Sequence, residues 1–88
     1  MTSHLHSARP GVPYRIIGVA DHAEVPDGLE RARQLKELGF LQGEQVVLLR
    51  RHQPGNDPLV VRIGLSTFAL RRAEAACVRI EAEDTHHG

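Results

Sequence analysis

Apolar and polar positions alternate, then run together, then alternate again along this chain, and each change of period marks an element. Residues 14–20 (YRIIGVA) are rich in β-branched and aromatic groups and predict a strand, with Gly18 marking a bulge or a close backbone approach. After a connection at 21–26, Leu29, Ala32, Leu35 and Leu38 recur every three residues, which predicts a helix with a narrow apolar stripe. Asp27 is a suitable N-cap, and Glu30 follows three residues later as in a capping box. Gly39 is placed to take the left-handed conformation that stops the helix.

Phe40 and Leu41 come next and are expected to pack back on the helix, before a turn at Gln42-Gly43. Residues 45–49 (QVVLL) are too apolar for a solvated face and predict a strand covered on both sides. The loop 54–58 (PGNDP) joins it to a returning strand at 59–64. There Val61 and Ile63 point one way, Val60 and Arg62 the other. Residues 66–70 (STFAL) predict a further short strand, and residues 71–76 (RRAEAA) a turn or two of helix. The last strand, 77–83, alternates cleanly, with Val78, Ile80 and Ala82 expected inward.

Five short antiparallel strands cover a small core best by curling into a partly open barrel. The expected fold is therefore mostly β, with one helix and a short helical turn, in an SH3-like five-stranded barrel. Residues 1–13 are polar and interrupted by Pro and Gly, and are expected to form a disordered leader; residues 84–88 are expected to be a flexible tail. The folded domain is expected at 14–83.

Composition narrows the function. An 88-residue chain with 41% apolar residues supports one domain with a thin core. Eleven basic residues balance eleven acidic ones, so the basic excess typical of nucleic-acid binders is missing. Cys77 is the single cysteine, which excludes an internal disulfide and a Cys-rich zinc site. No signal-peptide core or membrane-length apolar run is present, so a cytoplasmic location without membrane insertion is expected.

Chemistry is sparse. His4 and His6 lie near one end and His86 and His87 near the other, while His22 and His52 stand alone; none joins a set of three or four ligands in the sequence. Cys77 reads as a small core residue, since no His is near enough in sequence to activate it. Asp57 reads as a turn-stabilising carboxylate. Gly39 and Gly43 follow a helix, whereas a phosphate cradle precedes one. No catalytic, cofactor or metal residue is assigned, and the chain is not expected to be an enzyme. Arg50-Arg51 and Arg71-Arg72, with Arg62 and Arg79, read as solvated charge balanced by nearby Glu.

The ordered set Arg33, Leu35, Glu37, Leu38, Gly39, Phe40, Leu41 and Gly43, then the strand at 46–49, Pro54-Gly55, Asp57-Pro58, Ala69-Leu70-Arg71 and Glu74-Ala75, resembles the FeoA family of bacterial ferrous iron transport proteins. Asn56 departs from the family, which more often runs Gly-Asp-Pro without it. The resemblance implies a small cytoplasmic accessory protein of ferrous iron uptake. It would act as an interaction module for FeoB, a membrane transporter with a GTP-binding domain, and regulate it. It also implies similarity to the C-terminal domain of DtxR-type repressors. A nucleic-acid-binding or a metal-sensing SH3-like module remains as an alternative, and exposed sheet edges allow weak self-association. Arg33, Leu35, Leu38, Gly39, Phe40 and Leu41 carry more large apolar groups than a small barrel need bury. They are the expected partner-binding surface.

Overall fold

The computed structural model describes residues 2–20, 28–55 and 57–83. The predicted N-cap Asp27, His22, Asn56 and the tail 84–88 lie outside them. The elements are β1 (Thr2–His4), a 3-10 turn (Leu5–Ser7), β2 (Pro13–Val19), α1 (Gly28–Leu38), β3 (Gln45–Arg51), β4 (Leu59–Ile63), β5 (Ser66–Leu70), α2 (Arg72–Ala75) and β6 (Val78–Ala82). The strands form one antiparallel sheet in the order β1-β6-β2-β3-β4-β5. It curls around its core as an SH3-like barrel whose edge strands, β1 and β5, do not pair with each other.

The alternation in the sequence maps onto the faces. In β4, Leu59, Val61 and Ile63 are buried and Arg62 is exposed. In β3, Val46, Val47 and Leu48 are buried in succession, as a strand covered on both sides must be. The β2–β6 register shifts between Ile16 and Gly18, which is the bulge that Gly18 signalled. The alternation of β6 fails at its end: Val78 and Ile80 are in the core, but Ala82 is exposed. There the strand has passed the last layer of core side chains, and Ala82 pairs only with Tyr14 near the start of β2.

The disordered leader expected at 1–13 is corrected by the structure. β1 pairs with β6 through Thr2↔Glu81, Ser3↔Ile80 and His4↔Arg79, which adds a sixth strand to the five expected. Leu5 is fully buried and Ala8 nearly so, both in the main core cluster. The backbone beyond is fastened as well. Gly11 donates its N–H to the Leu48 carbonyl at 2.8 Å, and Arg9 donates its N–H to the Tyr14 hydroxyl at 3.1 Å. From β3, the Arg51 guanidinium donates to the carbonyls of His6 at 2.9 Å and Ala8 at 2.8 Å. Burying Leu5 offsets the entropy of ordering only because these groups also satisfy the backbone.

Candidate functional site

The end of α1 is built by a defined stop. Gly39, at φ 112, donates its N–H to the Lys36 carbonyl, and Phe40 donates to the Leu35 carbonyl, both at 3.1 Å. This is the Schellman pattern, in which the second residue past the helix folds its side chain onto the residue five positions earlier. Phe40 and Leu35 accordingly share the core cluster, at 0% and 2% exposure. Phe40 also meets Phe68 of β5, with ring centroids 5.7 Å apart. The chain then turns sharply. Leu41 donates to the Gly39 carbonyl, Glu44 to the Leu41 carbonyl, and Gly43, at φ 93, to the Ile16 carbonyl.

Phe40 and Leu35, both expected at a partner surface, therefore belong to the core. The remaining expected contact residues divide differently. Leu38 and Leu41 are 46% and 49% exposed, on either side of the buried Phe40. Arg33 is exposed and pairs with Glu30 of the preceding turn at 2.9 Å, and Gly39 is half-buried. Leu65 was not singled out from the sequence, yet it is fully exposed in the β4–β5 turn. The register Val46↔Ile63 brings that turn to the same end of the sheet as the start of β3, which follows directly from the turn at Leu41–Glu44. A groove of 390 Å³ lies there, lined by Glu44, Gln45, Val47, Arg62, Gly64 and Leu65.

The other candidates resolve into structural parts. Cys77 is buried, its thiol donating to the Ala73 carbonyl at 3.5 Å. Asp57 reaches beyond its own turn: its carboxylate accepts the N–H of Arg72 at 2.9 Å. Glu74 accepts the N–H of Arg71 at 2.7 Å, so two carboxylates cap the first turn of α2. Arg15 faces Glu83 at 3.6 Å, while Arg51 is committed to backbone carbonyls.

The pKa of His6 is displaced. Burial lowers it below the ordinary histidine value, helped by the nearby charges of Arg72, His4 and Arg51. The His6 Nδ1 is buried, with no hydrogen-bond partner among the described residues. The His4 and His6 rings lie 6.1 Å apart, but among the described residues no group of three or more His, Cys, Asp or Glu is placed to hold a metal. No described helix is long and apolar enough to cross a membrane.

The FeoA domain model matches residues 4–82, nearly the whole chain and including most of the N-terminal segment that packs on the barrel. The chain belongs to the FeoA family. The family is one of small accessory SH3-like proteins associated with ferrous iron transport. The FeoA of Stenotrophomonas maltophilia, crystallised with zinc and put forward as an activating factor for ferrous iron transport, is 35% identical. It superposes at a TM-score of 0.76, with 92% of this FeoA chain and 89% of that one covered. A FeoA-like protein from Clostridium acetobutylicum, 21% identical, shares the fold at a TM-score of 0.77, with 99% and 93% covered. A manganese-dependent transcriptional repressor, 16% identical, shares it at 0.78, with 93% of this chain but only 42% of the repressor covered. No curated protein matches the chain.

Proposed function

We propose that this FeoA protein is a cytoplasmic accessory factor of ferrous iron uptake that docks on the FeoB transporter through the barrel end carrying Leu38 and Leu41. The observation that carries this reading is the position of those two leucines. They are half-exposed on a backbone fixed by the Schellman stop, while Phe40 and Leu35 between and beneath them fill the core. A rigid frame that leaves large apolar side chains uncovered loses little entropy on binding, and their burial then contributes to affinity. Leu65 and the adjoining groove extend the surface and supply polar groups in Glu44, Gln45 and Arg62. The protein performs no chemistry of its own in this reading. Its effect is on assembly of the transporter and, through it, on GTP hydrolysis.

The reading is tested by titrating the full chain against the FeoB cytoplasmic GTP-binding domain and against the whole transporter in detergent. Saturable binding to either, weakened by Leu38→Asp or Leu41→Asp, is the expected result. Absence of binding to both overturns it.

A further inference from the structure

β5 is a free edge. It pairs only with β4, through Leu59↔Leu70, Val60↔Ala69, Val61↔Phe68, Arg62↔Thr67 and Ile63↔Ser66. Gly64 and Leu65 form the two-residue turn between the strands, with Gly64 at φ 60 as such hairpins require. In a two-residue hairpin the closing pair exchanges both backbone hydrogen bonds, and the pattern alternates from there. Ser66, Phe68 and Leu70 therefore bond to β4, and the N–H and C=O groups of Thr67 and Ala69 point off the sheet. None of these four groups has a protein partner among the described residues.

Edges are ordinarily blunted by Lys, Pro, an inward charge or a covering element. The strand Ser66–Leu70 (STFAL) has no charge and no Pro. We infer that β5 pairs antiparallel with the β5 of a second copy of this chain, about a two-fold axis through Phe68. The second copy is the occupant because the edge complements itself in this register. Thr67 faces the second copy's Ala69, and Ala69 its Thr67, so all four free backbone groups are satisfied by one symmetric contact. Phe68 meets its own counterpart at a pair without hydrogen bonds, where cross-strand side chains approach most closely, and the partly exposed ring is covered. No like charges are opposed along the strand.

The contact is one strand wide, so the dimer is weak, with a dissociation constant on the order of 0.1 mM.

The test is sedimentation equilibrium of the full chain up to about 1 mM, a range chosen to bracket a weak constant. Reversible dimerisation is expected, weakened at least about tenfold by Ala69→Lys and by Ala69→Pro. Both changes leave the bonds to β4 intact, and an unaltered circular dichroism spectrum checks the fold. Cross-linking reads the register. In a Cys77→Ala background, oxidising a mixture of Thr67→Cys and Ala69→Cys chains should give disulfide dimers, since paired Cα atoms about 5.5 Å apart are within disulfide range. Each variant alone should give few. A chain that stays monomeric at the top concentration, or a dimer indifferent to both Ala69 variants, overturns the inference. So does a mixture that cross-links no better than its components. None of these readouts involves FeoB, so they stand or fall apart from the docking surface at Leu38 and Leu41.

Discussion

The carboxylate of Asp57, in the loop before β4, accepts the backbone N–H of Arg72 at the start of α2, 2.9 Å away and fifteen residues along the chain. A four-residue helix cannot hold itself together, and its first-turn N–H groups need acceptors from elsewhere. The PGNDP loop supplies one, so a motif that reads as a turn is also a clasp between the β3–β4 connection and α2. Replacing Asp57 by Ala should cost about 1 kcal/mol of stability, with Asn recovering most of it. Urea denaturation of the three proteins checks this.

Arg51 clasps the N-terminal segment by donating to the carbonyls of His6 and Ala8. Arg51→Met keeps much of the stem but leaves both carbonyls without their donor. A loss of about 1.5–3 kcal/mol is expected, as for hydrogen bonds to a charged group. Amide hydrogen exchange should quicken in residues 2–8 more than in β3 or β4. Uniform quickening would mean that the segment does not open separately.

The N-terminal segment also shows where the sequence was silent. The strands β2 to β6 were legible because each spans five or more residues, long enough for a period of two to register. β1 is three residues long, and Leu5 is the only large apolar residue between Thr2 and Gly11, so no period could appear. Its place depends on β6 and on Arg51, distant in sequence. At the helix end, Leu35, Leu38, Phe40 and Leu41 were visible as an apolar group, but which would be buried depended on the stop. Gly39 did carry that information. A Schellman stop turns the residue after the glycine inward, which buries Phe40 and leaves Leu41 outside. Leu65 gave no signal, because an isolated apolar residue in a turn belongs to no pattern.

The histidine in this segment makes stability depend on pH. The folded pKa of His6 is lowered by burial first, then by Arg72, His4 and Arg51. Above the ordinary value of 6.5, His6 is neutral in both folded and unfolded chains and nothing is lost. As pH falls below that value the unfolded chain takes up the proton first, and stability drops until pH has passed the folded pKa. Denaturant midpoints should therefore fall as the pH is lowered through and below 6.5, and fall less in His6→Gln. Equal slopes in the two proteins would contradict the assignment.

Phe40 holds the core together. It is fully buried against Phe68 and Leu35, so Phe40→Ala should cost about 3–5 kcal/mol and Phe40→Asp should prevent folding. Gly39→Ala, at a φ of 112, should cost about 1–2 kcal/mol through backbone strain, although the site has open space for the new methyl. Thermal unfolding of both checks the stop. Loss of partner binding in a Phe40 variant would therefore report unfolding, and the exposed leucines must carry the functional test.

The most direct measurement is the affinity of the FeoB cytoplasmic domain or whole transporter for wild-type chain, for Leu38→Asp combined with Leu41→Asp, and for Ala69→Lys. Surface changes of this kind alter stability by roughly 0.5 kcal/mol or less each, which melting curves will verify. The leucine pair should lose at least about tenfold in affinity while Ala69→Lys binds as wild type. Wild-type affinity in a folded Leu38→Asp/Leu41→Asp chain would contradict the account.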